Sequence, residues 1–307
     1  MKKVSVIVPI YNEGEAVRSF LNDLIKEVGK LKYQSEILVF DSPTSKNSEK
    51  VLREFAKKYP NVKGYEVRHP GVTVTDKTNK YMLGIQLAQG DYIITSDGDG
   101  QDRPEEFHKF FQALEEGYDF AIGRKKKRRD GLAYMITSRI ANFIVRSITG
   151  VKVHDMNNGI KAFRKDIARE LNLKAGHFRF IPVIAAAKKW KITEIDVEHR
   201  ERLGKGRFSF MSRLQGGLFD MLIVYFITKM GDTPMYLLGW FSLIMKLFAF
   251  VFLLLGLFGK GEVFYILSLM IFLFSINTFL SALLMEYQRT SYERKDYSSL
   301  IVEKIGS

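Results

Sequence analysis

The chain contains no cysteine, which excludes disulfide staples and thiolate metal sites and fits a reducing compartment. It also lacks an amino-terminal apolar run of secretory length. In "MKKVSVIVPIYNEGEAV" the apolar stretch ends after about seven residues and reads as a strand. Acidic residues are in deficit: 34 Asp+Glu stand against 47 Lys+Arg, a net charge of +13. That balance favours an anionic partner, such as nucleic acid, a phosphate-rich small molecule or an anionic membrane surface. Nucleic acid fits poorly. The densest basic run, "RKKKRRDG" (124–131), has no interleaved aromatics on which bases could stack, and reads as a loop near a membrane.

With 307 residues there is room for one substantial domain and a further element. Composition changes near residue 208. Beyond it lie two long apolar runs, Met235–Phe258 and Val263–Met285, joined by "GKGE". Each exceeds the roughly 20 residues needed to cross a bilayer, so a transmembrane helical hairpin is expected. Arg207, Arg213 and Lys229 precede the first run, and Arg289, Arg294, Lys295 and Lys304 follow the second. The joint holds only Lys260. This bias predicts both termini in the cytoplasm. Between the halves, Leu218–Ile227 is too short to span and is broken by Asp220, which predicts amphipathic helices lying in the interface. Lys246 falls in mid-span and is expected to face protein or water. Partner helices, as in a homo-oligomer, would supply the former.

In the first half, strand and helix patterns alternate with short joints. Strands are predicted at "VSVIVPI", "EILVFD", "VKGYEV", "DYIITSD" and "DFAIG". Val17, Phe20, Leu21, Leu24, Ile25 and Val28 share one helical face. "NKYMLGIQLAQG" is helical up to Gly90, and "RPEEFHKFFQALEEG" is a helix with Pro104 in its first turn. The pattern predicts a parallel α/β sheet with helices on both faces, and ligands beyond the carboxyl ends of its strands. Polar residues cluster there: Pro9-Ile10-Tyr11-Asn12-Glu13, Asp41, Asp97 and Asp99, then Gly123-Arg124.

In "SDGDGQDRPEE" Asp97 and Asp99 flank Gly98, and Gly98 and Gly100 permit a tight turn. Hard carboxylate oxygens suit Mg²⁺ or Mn²⁺, and Mg²⁺ shares its shell with substrate phosphates. Asp102 is expected outside such a shell, beside the helix that Pro104 begins.

Together, "VSVIVPIYNE", the strand-end Asp41 and "DGDGQDRPEE" resemble the inverting family-two glycosyltransferases with the nucleotide-sugar-binding GT-A fold. Within them the chain is most similar to the polyprenyl-phosphate (dolichyl- or undecaprenyl-phosphate) hexose transferases, of the dolichyl-phosphate mannose synthase type. "IGR" (122–124), "SRIANFIVRSITGVKVHDMNNGIKAFRKDI", "RFIPVIAAAKKWKITEIDVEHRERLGKGRFS" and the terminal "EYQRTSYERKDYSSLIVEKI" continue the resemblance in order. It implies that Pro9, Tyr11, Asn12, Glu13 and Asp41 hold the base and ribose. Asp97 lies near ribose and metal. Asp99 and Gln101 hold Mg²⁺ or Mn²⁺ against the donor diphosphate. Arg124, Arg139 and Arg202, with Lys205 and Arg207, bind the acceptor phosphate, for which guanidinium forks are well shaped.

The expected reaction is metal-dependent, inverting transfer of a hexose, glucose or mannose, from a UDP- or GDP-sugar to polyprenyl phosphate. A phosphate monoester has its second pKa near 6, so the acceptor is already ionised and needs no general base. The expected organisation is a cytoplasmic GT-A domain (1–206), interfacial helices (207–231), a transmembrane hairpin (232–287) and a cytoplasmic tail (288–307) in a cell membrane. No "QxxRW" motif of processive synthases is present. After Asp41 the family has a second acid, whereas this chain has Ser42, which leaves UDP and GDP open. "RERLGKGRF" is one residue shorter than the usual basic motif. A sugar nucleotidyltransferase would need a "GxGTR"-like start, which is absent. A degenerate membrane-bound scaffold is the non-enzymatic alternative. Of the histidines, His199 is a candidate late metal ligand; His69, His108, His154 and His177 read as structural.

Overall fold

Near-continuous apolar runs, buried on both faces, build the central strands of the sheet. The computed structural model describes residues 2–11, 15–42, 46–67, 77–125, 153–156, 158–171, 173, 177–198, 234–259, 261–290 and 301–305. They fall into two units: Met1–Val224 with Lys295–Ser307, and Tyr225–Arg294.

In the first unit, β1 (Lys3–Pro9), β2 (Gln34–Asp41), β3 (Val62–Val67) and β4 (Tyr92–Thr95) run parallel. They are joined through α1 (Glu15–Val28), α2 (Lys46–Lys58) and α3 (Lys77–Leu87). A 3₁₀ turn (Pro104–Glu106) opens into α4 (Phe107–Glu115), followed by β5 (Phe120–Lys125) and β6 (Lys161–Arg164). Then come α5 (Lys165–Arg169), a second 3₁₀ turn (His177–Phe180), α6 (Ile181–Ala187) and β7 (Ile192–Val197). The last strand, β8 (Ile301–Ile305), lies beyond the second unit in sequence. Among the described residues one sheet forms, in the order β7-β5-β6-β4-β1-β2-β3-β8.

The period of two sorts the strand residues into two cores. Val4, Val6, Val8, Ile37, Val39 and Ile94 share one cluster with Val17, Phe20, Leu21 and Leu24 of α1 and Phe107, Phe110 and Phe111 of α4. Ile7, Leu38, Phe40 and Ile93 face the other way, onto Tyr81, Met82 and Ile85 of α3 and Ile181 and Val183 of α6. Burying each such side chain contributes roughly 1.5–3 kcal/mol. The predicted apolar face of α1 is the one that packs, with Ile25 partly buried at its margin.

The sheet is mixed, not wholly parallel as the alternation predicts. β6 is antiparallel to both β4 and β5, and β8 is antiparallel to β3. Neither strand announces itself. β6 is the four residues "KAFR", too short to show a period, and begins with a lysine. β8 lies in the stretch that reads as a tail, yet its Ile305 is 2% exposed in the core under α1 and α2. α3 also stops at Leu87, short of the predicted Gly90, because Gly90 N–H turns to Ser5 Oγ at 2.8 Å on the way into β4.

Glu36 of β2 is 2% exposed. Its carboxylate accepts from Ser5 Oγ (2.6 Å), Gln89 N (2.7 Å) and Lys63 Nζ (3.1 Å), and Lys3 Nζ lies 3.7 Å away. Burial pushes this carboxyl up, but those hydrogen bonds more than offset it and hold it below its ordinary value.

In the second unit, α7 (Pro234–Leu257) and α8 (Glu262–Thr290) carry apolar stretches at Met235–Leu257 and Glu262–Tyr287, close to the predicted spans. Both are long and apolar enough to cross a membrane. Only 11% of each stretch is buried, whereas a core helix of a soluble protein is mostly covered. Small residues let the helices meet: Ser242 Oγ donates to Ser275 O (3.0 Å) and Ser268 Oγ to Ala249 O (2.7 Å), with Ala282 fully buried. Lys246 Nζ lies 4.6 Å from the centre of the Phe279 ring, a cation–π contact inside the hairpin. The amphipathic segment 207–231 lies outside the described residues.

Glu36 has a folded pKa below its unfolded value of about 4.3, so its contribution is complete above that value and is lost as pH falls through the folded one. Glu36→Gln should lower stability at pH 7 by about 1–3 kcal/mol and flatten the acid side of the melting-temperature profile. Melts of the detergent-solubilised chain from pH 7 to pH 3 check this; parallel profiles would refute it.

Candidate active site

Because β1, β2, β4 and β5 point the same way, their carboxyl ends share one edge. The predicted strand-end residues therefore come together in space. Pro9 closes β1 and is buried, and Tyr11 follows, half-buried. Asp41 closes β2, 2% exposed, and its Oδ1 accepts from Ser42 N at 2.7 Å. Asn12, Glu13, Arg139, Arg202, Lys205 and Arg207 lie outside the described residues, as do His69, His199 and 126–131 of the basic run. His108 Nδ1 and His154 Nδ1 meet Glu105 O and Glu194 Oε2.

The turn after β4 is closely fitted. Gly100 adopts φ +78°, a conformation that glycine enters freely. Gly98 lies where an added Cβ would come within 2.3 Å of Ile10 Cγ2, so the turn rests against the end of β1. Asp97 is ion-paired with Lys77 at the start of α3 and accepts a hydrogen bond from Tyr81 OH at 3.0 Å. Burial pushes its carboxyl up, but Lys77 and Tyr81 hold it below the usual carboxylate range. Asp99 Oδ1 accepts from Gln101 N at 3.1 Å, and both side chains are half-exposed.

Asp102 departs from its expected place beside the helix. The residue capping that turn is Arg103, with no side-chain cap bond. Asp102 instead folds back, 6% exposed, and its Oδ2 accepts from Asp97 N (2.8 Å) and Ser96 Oγ (3.0 Å). Two donors at the end of β4 satisfy this oxygen, so the carboxylate staples the turn to its strand. Burial, then the neighbouring Asp97 charge, push its pKa up to about 7.

Several residues of the site escape a reading of the sequence. Lys161 of β6 is 2% exposed, and its ammonium donates to Asn158 O. Burial and the nearby Lys77 charge bring it down to about 8, while Asp97, Asp155 and Asp102 oppose them. Gly159 backs onto the acidic turn: a Cβ there would lie 2.7 Å from Asp97 Cγ and 3.1 Å from Asp102 Oδ2. At the other end, Lys80 is 2% exposed and donates to Ile10 O (2.6 Å) and Ser42 Oγ (2.8 Å). The serine that replaces the family's second acid thus meets a buried lysine. The strand-end rule applied also to β3 leads into the segment that reaches Lys77. Lys161 has no comparable signal, because it opens a short antiparallel strand whose amino end meets the carboxyl end of β4.

The donor set fits a divalent cation as a partial shell. Among the described residues no group of three or more His, Cys, Asp or Glu is placed to hold a metal. Asp99 and Gln101 offer hard oxygens, with Asp97 behind them on Lys77, and Mg²⁺ commonly takes one or two protein carboxylates with substrate phosphates completing its shell.

Gly159→Ala should displace Asp97 and Asp102 and cost on the order of 1–3 kcal/mol, since the added carbon meets carboxylates that are held from behind. Thermal melts of the variant check the loss; an unchanged melting temperature would show that the turn yields freely.

Comparison with known proteins follows the same outline. The profile of the family described as glycosyl transferase family 2 matches residues 5–171. An undecaprenyl-phosphate 4-deoxy-4-formamido-L-arabinose transferase of Klebsiella pneumoniae (strain 342) is 30% identical over 260 residues, 83% of this chain and 76% of its own. The protein of the same name from Proteus mirabilis (strain HI4320) is 30% identical over 227 residues, 72% of this chain and 67% of its own. Among solved structures, mannosyl-3-phosphoglycerate synthase from Rubrobacter xylanophilus has a TM-score of 0.58 at 15% identity, covering 73% of this chain and 74% of its own. Glucosyl-3-phosphoglycerate synthase from Mycobacterium tuberculosis, in complex with Mn²⁺, UDP-glucose and phosphoglyceric acid, has a TM-score of 0.55 at 16% identity, covering 73% and 79%. Identities this low establish a shared fold.

Proposed function

Since the chain belongs to glycosyl transferase family 2, we propose that it moves a sugar from a nucleotide donor to a polyprenyl phosphate at a membrane. The observation that carries this reading is one sheet edge with an acidic turn after β4 and Arg124 at the end of β5, in a chain that also holds an apolar helical hairpin. The names of the relatives support polyprenyl phosphate as acceptor. A UDP- or GDP-hexose is the donor we infer, and inversion at the anomeric carbon the stereochemistry.

The steps fall to named residues. Pro9, Tyr11 and Asp41 line the end of β1 and β2, where base and ribose would rest, with Asn12 and Glu13 between. Lys80 fixes that floor by tying Ile10 O to Ser42. Asp99 and Gln101, with Asp97, would hold Mg²⁺ or Mn²⁺, which supplies electrostatic stabilisation of the charge that develops on the leaving diphosphate. Arg124, with Arg139 and Arg202, would bind the acceptor phosphate as guanidinium forks. An ionised acceptor oxygen then attacks the anomeric carbon as the bond to the diphosphate breaks, and no side chain needs to remove a proton. The chain's basic excess serves to bring two phosphates together.

Both ends of the hairpin are assigned to the cytoplasmic side. The Lys and Arg bias supports this. So does β8, which pairs with β3 although it follows the hairpin in sequence, so that chain from both sides of the hairpin belongs to one unit.

Asp99→Ala should abolish divalent-dependent transfer to undecaprenyl phosphate. Membranes carrying the wild-type chain would be tested with UDP-glucose, GDP-mannose and UDP-4-deoxy-4-formamido-L-arabinose. Unchanged turnover in the variant, or no sugar-lipid from any nucleotide sugar with the wild type, would sink the assignment. The absence of cysteine makes orientation directly testable. A cysteine placed at Lys260 should react with impermeant maleimide in right-side-out membranes, and one at Ser307 only in inverted ones; the reverse pattern overturns the topology.

A further inference from the structure

β5 and β7 are parallel neighbours, and their register sets Arg124 directly opposite Asp196. Arg124 Nε donates to Asp196 Oδ1 at 2.6 Å. Both side chains are about two-fifths exposed, 42% and 41%, so the ion pair itself adds little to stability. Its effect is geometric. A guanidinium offers five N–H donors in a rigid plane. Holding Nε from the side of β7 fixes the plane and uses only one of the five donors. Glu194, the other carboxylate on this part of β7, is engaged elsewhere. It accepts from His154 N (2.7 Å) and Asp155 N (3.2 Å) and meets His154 Nδ1 at 2.6 Å. Asp196 is therefore the carboxylate that orients Arg124. As an anion it would repel a phosphate, which argues against Asp196 as a ligand in its own right.

We propose that Asp196 is a positioning residue that aims Arg124 at the acceptor phosphate. This rests on the reading that Arg124 binds that phosphate. Without Asp196 the long side chain must be ordered by the acceptor itself, and ordering one such side chain weakens binding by about two- to tenfold.

The test is binding of undecaprenyl phosphate to the full chain in detergent micelles, with binding of UDP and of GDP measured in parallel. Asp196→Ala should raise the Kd for undecaprenyl phosphate by about two- to tenfold and leave nucleotide binding unmoved. Asp196→Asn retains an oxygen that accepts from Nε and should restore most of the affinity. In an Arg124→Lys background, which has no Nε, Asp196→Ala should add nothing. An unchanged or tighter Kd in Asp196→Ala, an equal loss in the Arg124→Lys background, or a parallel loss of nucleotide binding each overturns the proposal. Arg124→Ala separates the two levels. If it leaves the Kd unchanged, the acceptor reading fails and the positioning role with it. If it weakens binding while Asp196→Ala does not, only the positioning role fails.

Discussion

Three carboxylates within seven residues of the end of β4 set the problem that the surrounding structure solves, and it solves it three ways. Asp97 is neutralised by Lys77 and hydrogen-bonded by Tyr81. Asp102 is buried on a backbone N–H and a serine hydroxyl, with a pKa pushed up to about 7. Asp99 stays half-exposed, bonded to the backbone of Gln101. The partners come from α3 and from the turn after β4, while Lys161 and Gly159 close the turn from behind. Removing Lys77 would leave the part-buried Asp97 charge without its ion-pair partner, where such a charge is costly.

The same balance shapes what the edge can do. A carboxylate already matched by lysine is poorly suited to hold a cation alone, whereas a half-exposed one is less tied to its surroundings by burial. Charge at the strand ends thus grades from compensated to exposed. Arg124 shows the complementary arrangement: its cation is held on one side by Asp196, and its side chain stays partly exposed. At the other end of the chain, hydroxyl-to-carbonyl bonds and small residues seal α7 to α8, and large apolar side chains are left outside, as a lipid solvent requires.

Much of the fold was legible because its strands bury alternate residues on two faces. Runs such as "VSVIVPI" and "VKGYEV" lie within a residue or so of the observed strands. The apolar spans were legible through length alone. β6 and β8 were not, since a strand of four or five residues gains its identity from the neighbours that bond to it. Within the candidate site, Asp41, Asp97, Asp99, Gln101 and Arg124 could be brought to one edge from the sequence because parallel strands end together. Lys161 opens an antiparallel strand, so the rule misses it, and Asp196 lies in the last parallel strand, level with Arg124; the relevance of both comes from what stands beside them across the sheet.

By itself the sequence determined the alternation of strand and helix, the apolar hairpin, the basic excess and the identity of the strand-end residues, all of which depend on local periodicity, length and composition. Only the tertiary structure decided that the sheet is mixed and that the terminal stretch completes its edge. It likewise decided that Asp102 turns inward and that lysines from distant segments neutralise Asp97. These are pairings between residues far apart in sequence, and their energies exist only once backbone hydrogen bonding and burial have brought the partners together.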